Sequence, residues 1–297
     1  MRRKGKWLEF IYKLEESIRL NHFLLTEIKA SKGFIQKWVK EEKVRVNDRF
    51  EANNPFLQKG DRISLDLFKE KEQDVVPQRM EIEILFEDDH LIILNKQAGV
   101  NTHPNKPKQT GTLANGLAFY YQSAGESLKT RHIHRLDRDT TGAVIFAKHA
   151  LSQSILDSHL EKREIKRTYT ALVKGRVKKK KDVIAAAIGR DRHHATKRRV
   201  SKSGQKAVTR YETLDYFQKE DISIVQLQLD TGRTHQIRVH MSSIGHPIIG
   251  DALYGGSSLL MERQALHAAF VRFSHPLTKE KLDIAAPFPE DMSKFVK

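Results

Sequence analysis

Hydrophobic spacing changes period several times along this chain, and each change predicts an element. Ile18, Leu20, Phe23, Leu24 and Ile28 recur at helical spacing, and Phe34, Ile35, Trp38 and Val39 form a second such set. Between them Lys29-Ala30-Ser31-Lys32-Gly33 reads as an inter-helix turn in which Ser31 can cap the second helix. Val44 and Val46 followed by Asn47-Asp48 predict a short strand and turn. Lys59-Gly60-Asp61-Arg62 predicts another turn, leading into an alternating strand over residues 63–67. Residues 1–16 are a basic start in which charge interrupts every apolar run, and no element is predicted there. Residues 70–74 are charged and Pro77 breaks structure, so a linker and a domain boundary are expected near residue 75.

Beyond that boundary the periods alternate again. Residues 82–86 and 91–94 predict two strands around a tight turn at Glu87-Asp88-Asp89-His90. A helix is expected over residues 112–121, a strand over 143–147 and an amphipathic helix over 150–160. Residues 166–173 predict a strand with Tyr169, Ala171 and Val173 on one face. Residues 174–181 and 189–210 are strongly basic and flank the apolar run 183–188; both read as mobile surface segments. Strands follow at 207–211 and 222–229. Thr234 then caps a helix whose buried stripe is Ile237, Met241 and Ile244, and a last strand and proline-marked turn cover residues 284–288.

Charge narrows the class of partner. The formal net charge of the 297 residues is +16, spread along the chain, which points to a polyanion, nucleic acid ahead of acidic lipid. Cysteine is absent, which removes disulfides, thiolate nucleophiles and Cys-ligated metal. The adjacent His193 and His194 lack a third ligand at usable spacing, so no metal or other cofactor is expected. The basic start is not followed by an apolar run of signal-peptide type, and no stretch reaches membrane-spanning length. The expectation is a cytoplasmic, monomeric protein whose partner is RNA or DNA and not a membrane.

The candidate chemistry sits in residues 132–142, H-I-H-R-L-D-R-D-T-T-G. If residues 134–137 are extended, Arg135 and Asp137 share one face while His134 and Leu136 share the other, and residues 140–142 favour a turn. A carboxylate presented beside an arginine is a candidate nucleophile or base, and equally a salt-bridged surface turn. The stretch resembles the signature of the RluA-type pseudouridine synthases, with Thr141 where that family usually has serine. The resemblance implies that Asp137 is the catalytic aspartate and that Arg135 reaches into RNA where the target base has flipped out. Three further stretches resemble the family in the same order. Arg167-Thr168-Tyr169-Thr170-Ala171 implies Tyr169 as an active-site ring packed on the target base, its hydroxyl a candidate in proton transfer. G-R-T-H-Q-I-R-V-H at residues 232–240 implies Arg238 as the charge partner of Asp137. Leu266-His267-Ala268 implies Leu266 as an apolar wall of the uracil pocket.

The first 75 residues resemble an S4-type RNA-binding domain, through Leu20, Phe23-Leu24, Ser31, Gln36, Val44-Arg45-Val46-Asn47 and Gly60-Asp61. Asn21-His22 and Glu42 depart from its usual residues. Lys29, Lys32 and Arg45 there, with Lys179, Lys180, Arg198 and Arg199 in the later basic segments, are the candidates for RNA backbone contact. Together the resemblances imply an α+β protein: an S4-like domain over residues 1–75 and a mixed, largely antiparallel synthase domain over 76–297. The implied activity is isomerisation of uridine to pseudouridine in RNA, large-subunit ribosomal RNA foremost. The alternatives are a non-catalytic RNA-binding or ribosome assembly protein that keeps the fold, a hydrolase pairing Asp137 with Asp139, and a DNA-binding module.

Overall fold

The computed structural model describes residues 1–69, 75–256 and 260–296. The charged part of the expected linker, residues 70–74, lies outside the described residues. The N-terminal region comprises β1 (Arg2–Lys4), β2 (Trp7–Ile11), β3 (Ile18–Arg19), α1 (Leu20–Thr26), α2 (Lys32–Lys40), β4 (Val44–Val46), β5 (Arg49–Phe50), β6 (Phe56–Leu57) and β7 (Arg62–Asp66). Its five-stranded sheet has the order β1-β2-β7-β4-β5, and β3 pairs with β6. Both helices form where the spacing predicts, and Ser31 Oγ accepts the Phe34 amide at 3.3 Å as the cap of α2. The first eleven residues differ from expectation. They fold as a hairpin about Gly5, with Arg2 ion-paired across the strands to Glu9. Its charges line an edge strand, where unpaired backbone is normally protected by them, so they conceal the alternation of a strand.

The remaining elements are β8 (Glu83–Glu87), β9 (Leu91–Lys96), α3 (Leu113–Ser123), β10 (Arg131–His132), β11 (Thr141–Ala147), α4 (Ala150–Glu161), β12 (Lys166–Lys174) and β13 (Lys181–Ala185). After them come β14 (Ile188–Arg190), β15 (Arg198–Val200), β16 (Val208–Phe217), β17 (Ile222–Leu229), α5 (Gln236–Ser243), β18 (Leu266–Ser274), β19 (Lys281–Ala285) and α6 (Glu290–Ser293). A ten-stranded sheet runs β13-β16-β17-β12-β18-β11-β9-β8, with β10 added to β11 and β19 to β18. Its pairings are antiparallel except β11 with β18, which is parallel. β9 and β11 are continuous apolar runs because both sheet faces are covered there. Ile92, Leu94, Val144 and Phe146 pack with Leu117 and Tyr121 of α3, while Leu91, Ile93, Ala143 and Ile145 pack with Leu156 of α4.

Four further expectations are corrected. Residues 181–185 form edge strand β13, and β14 pairs with β15 as a hairpin, so neither basic segment is unstructured. Lysine and arginine on an edge strand or an exposed hairpin mask its period-two signal. Thr141 and Gly142 belong to β11, the turn falling instead at Arg138 and Asp139. Gly142 has φ 110°, and a Cβ there would run into the backbone of Ala268, so glycine is what lets β11 lie directly against β18. Ile244 lies past the end of α5 and is exposed, so the buried stripe stops at Met241. The last strand starts at Lys281 and ends at Ala285, short of Phe288.

The two sheets share a core. Leu151 and Ile155 of α4 are buried with Leu8, Leu24 and Trp38 of the N-terminal region. Phe68 packs edge-on against His149 at 5.2 Å, and His149 Nε2 lies 3.0 Å from His90 Nδ1. Arg3 bridges to Glu126 at 2.7 Å and Asp89 at 3.3 Å. Burial is the first cause that lowers His90, to about 4, and it pushes His149 well below its usual value. Burial opposes ionisation of Asp88, but hydrogen bonds from His275 and from the His90 and Leu91 amides outweigh it and hold the carboxyl at about 2.

Two outcomes follow from this contact. A histidine whose folded pKa is depressed stabilises the fold above its unfolded value of about 6.5, and that contribution is lost as pH falls. Between pH 6.5 and 4 the melting midpoint should therefore drop, with His90 alone contributing up to about 3 kcal/mol. Melting curves of wild type and His90→Gln over that interval test it, the variant showing the shallower slope. Leu151→Ala should cost about 2–4 kcal/mol because its cavity opens between the two sheets, read as a lowered denaturation midpoint in urea. A surface-like effect, below about 0.5 kcal/mol, would refute the shared core.

Candidate active site

Residues 134–137 follow β10 outside any strand, yet with alternating burial: His134 and Leu136 are buried, Arg135 is exposed and Asp137 is partly exposed. Every backbone segment around Asp137 is held. The Leu136 amide donates to Thr102 Oγ1 at 3.0 Å, whose hydroxyl donates back to Leu136 O at 3.2 Å. Lys96 Nζ donates to Arg138 O at 2.7 Å, and Arg263 donates to Asp139 O at 3.2 Å. Thr140 N donates to Asp137 O at 3.1 Å and closes the turn. Lys96 is fully buried, and its ammonium also caps Gln97 O and Val100 O. Burial lowers it to about 7, against the pull of Asp139 and Asp137.

A cavity of ≈ 580 Å³ opens at this turn, lined among others by Arg135, Asp137, Arg167, Tyr169, His235 and Leu266. Arg238, one turn into α5, is buried below it. Its NH1 donates to Asp137 Oδ2 at 3.0 Å, while Nε and NH2 grip Asp251 at 2.7 and 2.9 Å. Burial disfavours this guanidinium's charge, but Asp251 first and Asp137 second outweigh it and hold it well above its usual range. Among the described residues the polar contacts to the Asp137 carboxylate fall on Oδ2, and the residue lines the cavity. Burial raises the Tyr169 hydroxyl, so it stays protonated at neutral pH and favours hydrogen-bond donation over standing as a base.

The helix carrying Arg238 starts differently from the expected cap. His235, with φ 57°, occupies the cap position in the left-handed region, and Thr234 makes no cap bond. Gln236 instead turns its side chain back, accepting from Arg233 N at 3.0 Å and Thr231 Oγ1 at 2.8 Å.

The structure brings Arg135, Asp137, Tyr169, Arg238 and Leu266 to one cavity. Arg198 lines an adjoining cavity of ≈ 370 Å³ on the hairpin side of Asp137, with Arg135, Arg138, His103 and Asn105. Arg199 is exposed on β15. Lys179 and Lys180 are not at the cleft. They follow the far end of β12, separated from Tyr169 by roughly 17 Å of extended chain up to Lys174, and Lys179 is paired with Asp182. Lys29 and Lys32 are exposed around the start of α2, whereas the Arg45 guanidinium lies over the Trp7 ring at 4.5 Å. His193 and His194 are exposed, and no metal-ligand cluster exists among the described residues. Sequence reasoning passed over Asp251, Lys96, Thr102, His235 and Tyr254. Residues 245–251 and Tyr254-Gly255 resemble the family and read in sequence as a loop beside the cleft, but no chemical role for Asp251 or Tyr254 was legible there.

A sequence model of the RNA pseudouridylate synthase family matches residues 90–243, from the start of β9 to the end of α5. The chain belongs to the RNA pseudouridylate synthase family. It is an RNA pseudouridine synthase, an isomerase that converts uridine to pseudouridine within RNA. The chain is 51% identical over 293 residues to the uncharacterized RNA pseudouridine synthase YhcT of Bacillus subtilis (strain 168), covering 98% of this chain and 97% of the relative. It is 36% identical over 280 residues to ribosomal large subunit pseudouridine synthase D of Vibrio parahaemolyticus, covering 88% and 84%. The solved human RNA pseudouridylate synthase domain containing 1 superposes with a TM-score of 0.59 at 27% identity, covering 72% of this chain and 86% of that one.

The Arg238–Asp251 pair generates a test within this synthase. Asp251→Ala leaves a buried guanidinium without its two-pronged anchor. It should cost about 3–5 kcal/mol of stability and slow pseudouridine formation even at temperatures where the variant is folded. Chemical denaturation and single-turnover rates measure both. A variant that folds with wild-type turnover would show that Asp137 alone suffices to place Arg238.

Proposed function

We propose that this synthase modifies uridines of large-subunit ribosomal RNA, with Asp137 as the reacting carboxylate. The observation that carries the catalytic part is Asp137 lining the cavity with Oδ2 held by Arg238 and Oδ1 without a polar contact among the described residues. The conversion breaks N1–C1′, turns the base and joins C5 to C1′. Asp137 serves it either by attacking C1′ or by removing a ribose proton, and both routes need an oriented carboxylate in a pocket shielded from water. Tyr169 and Leu266 offer an aromatic face and an apolar wall to the uracil, and exposed Arg135 at the rim fills the place the uridine leaves when it flips. The ribosomal assignment is supported by the name of the Vibrio relative and by the net charge of +16.

In this reading the N-terminal region acts as an S4-like RNA-binding domain and residues 76–297 as the catalytic domain. Lys29, Lys32 and Arg45 on the first, and Arg198 and Arg199 on the β14–β15 hairpin, contact phosphates. Lys179 and Lys180 then meet only RNA that extends well beyond the target nucleotide.

Asp137→Asn should keep the fold and RNA affinity while abolishing pseudouridine formation. Mapping pseudouridine in ribosomal RNA from a strain lacking the gene, with and without the variant restored, checks both parts. Full modification by the variant would remove Asp137 from the chemistry, and an unchanged ribosomal map in the deletion strain would move the substrate to another RNA. Salt dependence separates the arginines. Neutralising Lys197, Arg198 and Arg199 should flatten the slope of log affinity against log salt by roughly 0.7–0.9 for each phosphate that these side chains cease to neutralise. Arg238→Ala should leave that slope unchanged and cut turnover by orders of magnitude. Arg238→Lys should rescue little, because lysine cannot span two carboxylates with a planar fork.

A further inference from the structure

The cap position of α5 holds a side chain that the chemistry above does not use. His235 adopts φ 57° and ψ 21°, a left-handed conformation that costs energy for a residue with a Cβ. That conformation places the imidazole between two partners. Nδ1 lies 2.9 Å from Tyr254 Oη, and Nε2 lies 3.8 Å from Asp137 Oδ2, the same oxygen that Arg238 holds. Tyr254 is buried, and its hydroxyl also accepts the Arg198 backbone amide at 2.8 Å. Its ring carries the Arg238 guanidinium at 5.0 Å and Lys197 Nζ at 5.6 Å.

These contacts favour one placement of the protons. The Tyr254 oxygen already accepts from Arg198, and donation of its own proton to His235 Nδ1 is the arrangement that turns an N–H and not a lone pair toward the Asp137 carboxylate. A neutral imidazole that accepts at Nδ1 carries its proton on Nε2, toward Asp137. Burial is the first cause that lowers His235 below its usual range. Asp137 and Asp251 pull it up while Arg238 and Arg198 push it down, so the ring is neutral at pH 7. The N–H is then 3.8 Å from Oδ2, short of a hydrogen bond and within reach of one if the turn shifts by about 1 Å.

We propose that His235, oriented by Tyr254, is a positioning residue for Asp137, and that the Tyr254 hydroxyl ties the basic β14–β15 hairpin to the reacting carboxylate. The proposal rests on the reading of Asp137 as the reacting group. RNA that docks on Lys197, Arg198 and Arg199 pulls on the strand whose amide Tyr254 accepts. The next hydrogen bond fixes the tautomer of His235, and the next N–H faces Oδ2. Once the turn closes that gap, Arg238 and His235 hold Oδ2 from two sides, so Oδ1 keeps one direction when the ribose arrives. Removing RNA from the hairpin and removing the hydroxyl should therefore reach the same carboxylate by one route.

Single-turnover pseudouridine formation on total RNA from a strain lacking the gene, followed from about pH 5.5 to 8.5, the range that brackets histidine titration, beside RNA affinity, tests this. Tyr254→Phe keeps the ring under Arg238 and should retain wild-type affinity. Its rate should fall about tenfold, the scale of one positioning hydrogen bond, and its acid-side decline should move to higher pH because Nδ1 has lost the donor that opposes protonation. His235→Gln presents an amide N–H near the place of Nε2 and should recover most of the rate while losing the histidine's own titration. His235→Ala and His235→Gly should both lose about tenfold. Glycine relieves the left-handed backbone, so a wild-type rate for His235→Gly would assign the residue a backbone role and overturn the proposal. Wild-type rates and pH profiles for Tyr254→Phe and His235→Ala, beside an inactive Asp137→Asn, would overturn it while leaving the catalytic reading intact. Activity in Asp137→Asn would overturn both.

Discussion

The architecture of the site depends on one buried guanidinium held between two carboxylates. Arg238 is 8% exposed, and a charge so far from water requires compensation on more than one side. Asp251 supplies it with two parallel bonds and Asp137 with a third. Asp251 is itself only 2% exposed and spends both carboxylate oxygens on the guanidinium, so it serves the arginine and not the substrate. That division lets Asp137 remain partly open to the cleft while its geometry is set from beneath. Two acidic groups on one guanidinium also mean that neither can be replaced without leaving the other in a different electrostatic setting.

The backbone around Asp137 is fixed by the same kind of distant partner. Its neighbours are tied one by one: Leu136 by Thr102, Arg138 by Lys96, Asp139 by Arg263, Thr140 by the turn itself. The first three ties come from chain segments before β10 and after α5, so the turn is a crossing point of segments far apart in sequence. Gly142 completes it by allowing β11 to lie against β18, which brings Leu266 beside the cleft. A rigid floor of this kind suits a reaction in which the base must turn over while the ribose stays in place.

The N-terminal region is joined to this frame through α4, the Phe68 ring against His149 and the Arg3 ion pairs to Asp89 and Glu126. Its core includes Leu151 and Ile155, side chains that belong in sequence to the synthase portion. A boundary drawn by the charged stretch at residues 70–74 therefore divides the chain and not the hydrophobic core. The paired histidines stay neutral because the contact excludes water from them, which makes the union of the two sheets stronger near neutral pH than in acid.

By itself the sequence determined the α+β class, both N-terminal helices, the doubly covered strands β9 and β11, and the order of the family motifs. Such features are written locally: helical spacing, apolar runs, a serine at a helix start, a short string around an aspartate. Asp137, Tyr169 and Leu266 were singled out because each belongs to such a string, and Arg238 because its string was intact; the structure brings the four to one cavity. Only the tertiary structure decided what those residues meet. The hairpin at residues 2–11 and edge strand β13 were hidden because charges that protect an edge erase its alternation. The roles of Asp251 and Tyr254 were hidden because a buried charge or hydroxyl is defined by its partner, and here the partners, Arg238 and His235, lie on another segment. Lys179 and Lys180 follow the end of β12 away from Tyr169, a placement that no count of charges reveals. A sequence records which groups are available; where their charges and protons settle depends on distances that only the folded chain sets.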